Sequence, residues 1–426
     1  MILIVIISRI MNIFYRITEN ISITEVVMKR SFSVIFILLA FIMTIGILSG
    51  YSKAKAFAYN DINSSEEQSI VASSKSAYLI DAKSGSVIYS KNENERLPIA
   101  SMCKIMTLLL CFDSIENGKV DPNSNVRVSE NAAGMGGSQI FLESNGEYKV
   151  NDLIKSIVVA SANDACVAMA ETISGSEELF INAMNEKAKS LQMFDTNFVN
   201  CTGLPKAGQY STAKDVSKMF SELIKHEDYF KYSKIWTDKI AHSGDRVTEI
   251  SNTNKLIRFY QGCDSGKTGY TAEAGHCLAA SALRNGMRLI SVVISSPDSK
   301  TRFKEVSSMF NYGFANFTNK IIVDHNKALD DKVDILGGKT NSIEVVPEKS
   351  YYLFSKKNEK RSVEIEFVPN PSVKAPVQKG DVVGKLYVYE NNKELTSMDV
   401  LSNENVNQKT YFDTIYDIAN KWSIAN

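Results

Sequence analysis

Between Ile105 and Phe112 the chain reads Ile-Met-Thr-Leu-Leu-Leu-Cys-Phe, a run with no polar face. A helix of that kind lies in the middle of a domain. Pro98 stands just upstream and disfavours helix before Ile99, so the helix is expected to open near Ser101. From there to about Lys231 the pattern is mostly helical. Residues 150–160 form one predicted helix and 164–174 another, with Gly175 past its end as a stop signal. Thr212 followed by Asp215 reads as an N-cap with an acid in the first turn.

Short apolar runs and alternation mark the strands. Residues 77–82 and 86–90 flank a turn at Lys83-Ser84-Gly85. Strand character returns after Lys255. Segments 264–270, 276–283 and 288–295 form a predicted antiparallel meander, with a hairpin signal at Asn285-Gly286. Residues 301–317 then read as a helix packed on that sheet. Strands at both ends and a helical block between them predict an α+β domain. It has one antiparallel sheet closed by N- and C-terminal strands, packed helices and a largely helical insertion.

Beyond residue 318 the style changes. Segments 342–346, 350–354, 363–367 and 382–389 alternate or run apolar between Gly, Pro, Asn and Lys, which predicts a small all-β domain. In the tail, Phe412, Ile415, Tyr416, Ile418, Ala419 and Trp422 fall on one broad helical face. Such a face suits a membrane interface; docking on the β domain is the alternative. At the other end, Lys29 and Arg30 precede an apolar run from Phe32 to Leu48, and Ala56-Phe57-Ala58 offers a small-x-small cleavage site. That is the order of a secretory signal starting at Met28; an uncleaved anchor is the alternative, since the run approaches spanning length. Either way the rest of the chain is exported. The expected division is 1–58 for targeting, 59–318 for the α+β domain, 319–405 for the β domain and 406–426 for the tail.

Composition narrows the function classes. Forty-eight basic and 48 acidic residues leave the 426-residue chain formally neutral, so nothing argues for a nucleic-acid partner. The four histidines, His226, His242, His276 and His325, show no metal-ligand spacing. No metal or cofactor is called for. A Gly-x-Ser-x-Gly elbow is absent. Of the six cysteines, Cys103, Cys111 and Cys166 fall in apolar helical runs, where free thiols pack as small hydrophobes. Cys201 stands apart from those runs, and Cys263 with Cys277 is the one pairing left open.

Three short elements then occur in order: Ser101-x-x-Lys104, Ser161-Ala162-Asn163 and Lys267-Thr268-Gly269. Each has decoys in the chain, such as Ser211 with Lys214, and only this combination has the right context. Ser101 opens the buried helix, Ser161 sits in a break between helices, and Lys267 lies on a strand of the meander. A serine hydroxyl needs an adjacent base. Residues three apart share a helix face, so Lys104 can be that base if it is neutral part of the time. Burial and a second cation, Lys267, both favour neutrality. Ser161 can relay a proton to a leaving amine, and Asn163 can hold the lysine and a substrate amide. Lys267 and Thr268 offer a cation and a hydroxyl to a terminal carboxylate, and Gly269 would let a substrate backbone approach. Asp164 reads as the cap of the next helix, Cys103 as packing, His276 as structural, and Gly134, Gly136 and Gly137 as a loop bordering the site.

On these elements, the chain resembles the low-molecular-mass penicillin-binding proteins that act as D-alanyl-D-alanine carboxypeptidases. Asp81-Ala82-Lys83-Ser84-Gly85, Asn200-Cys201-Thr202-Gly203-Leu204 and Gly266-Lys267-Thr268-Gly269-Tyr270-Thr271 carry the likeness further. The resemblance implies a β-lactamase/transpeptidase-like fold and a serine D,D-peptidase outside the cytoplasmic membrane. It implies removal of the last D-alanine from peptidoglycan stem pentapeptides through an acyl-enzyme on Ser101, which β-lactams would also acylate. Lys104 is then the base, Ser161 and Asn163 complete the relay, and Lys267 with Thr268 binds the carboxylate. The backbone N–H groups of Ser101 and Tyr270 form the oxyanion hole, and the tail lies on the membrane surface. Tyr270 stands where some members carry histidine. D,D-endopeptidase, serine β-lactamase and a penicillin-binding sensor with little turnover are the rival functions.

Overall fold

A computed structural model describes residues 70–424, with side chains as far as Asp417. The targeting region expected over 1–58 lies outside the described residues. The chain opens with strands β1 (Ser76–Asp81) and β2 (Val87–Lys91), which pair antiparallel around the expected turn. The turn is closed by Asp81, whose carboxylate accepts from the N–H and hydroxyl of Ser84. A 3₁₀ turn (Ala100–Cys103) then runs into helix α1 (Lys104–Glu116), buried on nearly every face as its apolar run requires.

The insertion holds a short ribbon of β3 (Asn125–Arg127) and β4 (Glu147–Lys149), with α2 (Glu130–Ala133) between them. Helices α3 (Val150–Val159), α4 (Asn163–Ser174), α5 (Glu177–Ser190), α6 (Ala213–Leu223) and α7 (Tyr229–Ser233) follow. Gly175 ends α4 in the left-handed conformation, and the Thr212 hydroxyl caps α6 by accepting from Asp215 N–H. Next comes a hairpin of β5 (Thr237–Ala241) and β6 (Val247–Ser251), which the hydrophobic pattern does not predict. Its strands bury one isoleucine each, Ile240 and Ile250, too weak an apolar signal to stand out.

After α8 (Leu256–Phe259) come β7 (Cys263–Thr271), β8 (Gly275–Arg284), β9 (Met287–Ser296) and α9 (Ser299–Asn316). The five-stranded sheet has the order β2-β1-β9-β8-β7, so N- and C-terminal strands close it and β7 is an edge. Alternation splits each strand between two cores. Tyr78, Ile80, Ile290, Val292 and Ile294 join the helical insertion around α1 and α4. Ala77, Leu79, Leu289 and Val293 join Phe310 and Met309 of α9. Burial on both faces explains why these strands read as continuous apolar runs.

The α+β architecture with an antiparallel sheet is therefore as expected, and a β-rich region follows it. Strand β10 (Phe317–Val323) pairs with β13 (Tyr351–Lys356). Strands β11 (Lys332–Leu336), β12 (Ser342–Pro347), β14 (Glu364–Pro369), β15 (Val373–Lys374), β16 (Val382–Glu390) and β17 (Lys393–Ser402) form a six-stranded sheet, around a separate core. Helix α10 (Tyr411–Ile424) is the last described element, with Tyr411, Phe412 and Tyr416 exposed. Among the described residues no helix is long and apolar enough to cross a membrane.

All six cysteines are free and buried. The Cys263–Cys277 pairing left open above is ruled out by register. Cys277 faces Gly269 while Cys263 faces Ala282, several rungs and about 17 Å apart along the ladder.

Candidate active site

The nucleophile candidate stands on a strained turn. Ala100 has φ +47°, in the left-handed region, which costs a non-glycine residue about 1–2 kcal/mol. Packing on two sides holds it there. A methyl group on Gly203 would lie 2.1 Å from Ala100 O, and one on Gly269 would lie 2.7 Å from Ile99 O and 3.2 Å from Ser101 N. Only glycine lets the loop at 200–204 and strand β7 come so close. Gly269 thus admits the protein's own backbone at the nucleophile turn. The loop is braced in turn by Thr107 Oγ1, which donates to Cys201 O at 2.6 Å, and by Asn200 Oδ1, which accepts from Gly203 N–H at 2.7 Å.

Lys104 is wholly buried and its amine has three partners: Ser101 Oγ at 3.1 Å, Asn163 Oδ1 at 2.6 Å and Thr202 O at 2.5 Å. Two of these are pure acceptors, and the third contact sets the Ser101 hydroxyl within hydrogen-bond reach of the amine. Asn163 keeps its oxygen toward the lysine because its Nδ2 donates to Gly136 O at 2.7 Å.

Ser161 sits between α3 and α4 at φ +62°, in the left-handed region like Ala100. Lys267 Nζ donates to Ser161 Oγ at 2.7 Å and to Thr268 O at 3.1 Å. Lys267 is almost fully buried, and burial first, then the neighbouring Lys104, push its pKa well below the usual lysine range. Its amine faces Ser161 here, with Thr268 beside it. Tyr270 is 60 % exposed, and its ring stacks on His276 at 4.3 Å. The structure thus gathers Ser101, Lys104, Ser161, Asn163 and Lys267 in two hydroxyl–lysine couples, with Thr268, Gly269 and Tyr270 along the adjoining strand. Cys103, between nucleophile and lysine, is buried and its thiol donates to Asn200 O; burial pushes its pKa up.

Asp164 is not the helix cap it was expected to be. It lies inside α4, whose N-cap Ala162 makes no side-chain bond. Its buried carboxylate accepts from the N–H groups of Ile140, Leu142 and Ala165. Burial raises its pKa, an effect those bonds offset only in part. Asp164 thereby fixes the loop that carries Gly136 against the site. Thr202 and Gly136 act through backbone carbonyls, which no residue-type pattern marks. The local signals for them are the Asn200-to-Gly203 turn and the glycines before Ser138. Among the described residues no cluster of three His, Cys, Asp or Glu side chains could hold a metal ion.

An antiparallel sheet, a buried serine-bearing helix and a lysine couple in place of histidine define a serine hydrolase. Comparison with known proteins narrows that class. The D-alanyl-D-alanine carboxypeptidase family, peptidase S11, matches residues 62–298, and the C-terminal domain of penicillin-binding protein 5 matches residues 317–408. The chain belongs to this family. It is 39 % identical to D-alanyl-D-alanine carboxypeptidase DacF of Bacillus subtilis, over 89 % of this chain and 97 % of that protein. It is 32 % identical to D-alanyl-D-alanine carboxypeptidase DacC of Escherichia coli, over 82 % and 89 %. Among solved structures, penicillin-binding protein 5 of Haemophilus influenzae superposes with a TM-score of 0.63 at 28 % identity, covering 79 % of this chain and 98 % of that one.

Proposed function

We propose that this chain is an exported serine carboxypeptidase that removes the terminal D-alanine from peptidoglycan stem pentapeptides. Ser101 Oγ attacks the carbonyl carbon of the penultimate residue while its proton passes to Lys104 Nζ. The N–H groups of Ser101 and Tyr270 hold the resulting oxyanion. As it collapses, the C–N bond breaks and the departing amine takes a proton through Ser161, resupplied by the two lysines. Thr268 and Lys267 receive the substrate's terminal carboxylate. Water then attacks the acyl ester with Lys104 as base, releasing the shortened peptide and restoring Ser101. A β-lactam opens by the same attack, but its leaving nitrogen stays tethered, so the adduct persists.

The observation that carries this reading is the Lys104 amine, 3.1 Å from Ser101 Oγ with its other two bonds to pure acceptors. Kinship with proteins named D-alanyl-D-alanine carboxypeptidase over nearly their whole length supports the substrate. The test is D-alanine release from a stem-pentapeptide mimic, alongside mass mapping of a β-lactam adduct. Release that is lost in Ser101→Ala, with the adduct on the Ser101 peptide, is expected. Acylation without release would favour a penicillin sensor, and turnover of the β-lactam instead would favour a β-lactamase. Cleavage of cross-linked peptides in place of pentapeptide would favour an endopeptidase.

The same reading assigns 1–58 to targeting with a signal from Met28, 59–318 to the peptidase domain, 319–405 to the β domain and 406–426 to a membrane-surface tail. Sequencing the mature N-terminus tests the first. Fractionation of a chain truncated before Tyr411 tests the last; unchanged membrane association would remove the tail's role.

A further inference from the structure

Arg302 is buried on α9 at a high electrostatic cost. It is 9 % exposed, its Nε has no partner, and among the described residues no carboxylate lies within ion-pair distance. It also stands in the first turns of its helix, where the helix dipole disfavours a cation. The two acids nearest in sequence are engaged elsewhere: Glu305 accepts from the N–H groups of Ser73 and Ser74, and Asp298 from the N–H and hydroxyl of Thr301. A guanidinium left this way weakens the fold, so a functional reason is sought in what it touches. Nη1 donates to Gly269 O at 2.9 Å and to Cys277 O at 3.3 Å, and Nη2 to Ser299 Oγ at 3.3 Å.

Gly269 O and the N–H of Tyr270 belong to one peptide unit. That peptide is trans, since the only cis bond among the described residues is Ala375-Pro376. Its N–H therefore points away from its C=O, and away from the guanidinium. The same unit runs along the nucleophile turn, because a Gly269 methyl group would stand 3.2 Å from Ser101 N. A charge-assisted bond to the carbonyl draws electron density toward oxygen and makes the N–H of that unit a stronger donor.

We propose that Arg302 is a positioning residue for the reaction: it orients and polarises the Gly269–Tyr270 peptide so that Tyr270 N–H binds the oxyanion. This rests on the carboxypeptidase reading above, with Tyr270 N–H as an oxyanion donor. Losing an entire oxyanion donor costs about 10²–10³-fold in rate. Losing its polarisation and alignment should cost less, about 10-fold.

The test uses the full chain and its Arg302→Gln and Arg302→Lys variants. The acyl-enzyme of a penicillin ¹³C-labelled at the lactam carbonyl is read by infrared difference spectroscopy. Acylation is also timed with a neutral thioester that lacks any carboxylate. For R302Q the ester carbonyl band should move to higher wavenumber and acylation by both reagents should fall about 10-fold. R302K, which keeps the cation, should stay nearer the parent on both readouts. A band unmoved in R302Q, with rates within twofold of the parent, overturns the proposal. So does a loss confined to the carboxylate-bearing penicillin, which would make Arg302 a substrate ligand. Should R302Q not fold, the parent protein decides: the Gly269 carbonyl carbon should resonate downfield of that of Gly266 on the same strand. A Gly269 signal at or upfield of Gly266 overturns the proposal. If the parent forms no Ser101 adduct, the carboxypeptidase reading falls and takes this one with it. If the adduct forms and its band ignores Arg302, only the Arg302 proposal falls.

Discussion

Replacing Gly203 by alanine tests how the nucleophile turn is held. Gly203 has φ +81°, and its new methyl carbon would stand 2.1 Å from Ala100 O. An ordinary carbon–oxygen contact is about 3.3 Å, so the turn carrying Ser101 must retreat by about 1.2 Å. A misplacement of about 1 Å at reacting atoms costs about 10²-fold, or about 2.7 kcal/mol in the barrier. Left-handed alanine adds about 1–2 kcal/mol of strain to the folded state. The control is Gly175→Ala, at φ +84° with nothing within 4 Å of the added carbon. It carries the same strain and no displacement of Ser101. Single-turnover acylation by a fluorescent penicillin, with thermal melting, separates the two effects. Both variants should melt lower, and only G203A should acylate about 100-fold more slowly. A folded G203A that acylates within threefold of the parent refutes the claim that this contact positions Ser101.

The depressed pKa of Lys267 makes stability depend on pH. Between its lowered folded value and the ordinary value of about 10.4 the unfolded chain binds the extra proton, so the parent gains stability as pH rises. Lys267→Met lacks that term, and its melting temperature should fall behind the parent's as pH goes from 6 to 9.5; a constant difference would contradict this. Asp164→Ala leaves the N–H groups of Ile140 and Leu142 without their acceptor, and chemical denaturation should show a loss of about 2–4 kcal/mol; a loss under 0.5 kcal/mol would be inconsistent with the anchoring role. The six cysteines are buried and free, so a thiol reagent should label none in the native protein and six in denaturant. Four labelled under non-reducing denaturation would reveal a disulfide.

Much of the site is legible because each element is a local spacing. Ser101 and Lys104 share one helical face, Ser161 and Asn163 bracket a helix start, and Lys267, Thr268 and Gly269 follow one another on a strand. Side-chain chemistry made them stand out, since a lysine near a serine is informative where histidine pairs are lacking. The backbone carbonyls of Thr202 and Gly136 were illegible, because every residue carries one. The anchoring role of Asp164 was illegible because two of its three partners lie 22 and 24 residues away. The β5–β6 hairpin escaped because a ribbon with one buried side chain per strand has almost no hydrophobic signature.

The sequence by itself determined the elements and the chemical groups available to the site. Periodicity reports which residues must leave water, and that is decided by side chains a few positions apart. Which hydroxyl meets which amine was decided only in the tertiary structure. Lys104 bonds Asn163 from 59 residues away, and Lys267 bonds Ser161 from 106 residues away. The close approach of Gly269 to Ile99 has the same origin: the packing of an edge strand on the nucleophile turn brings them together. The pairing of the two lysines is likewise a product of the fold. Burial without a counter-ion is set by what surrounds a group in three dimensions, and no spacing along a chain encodes it.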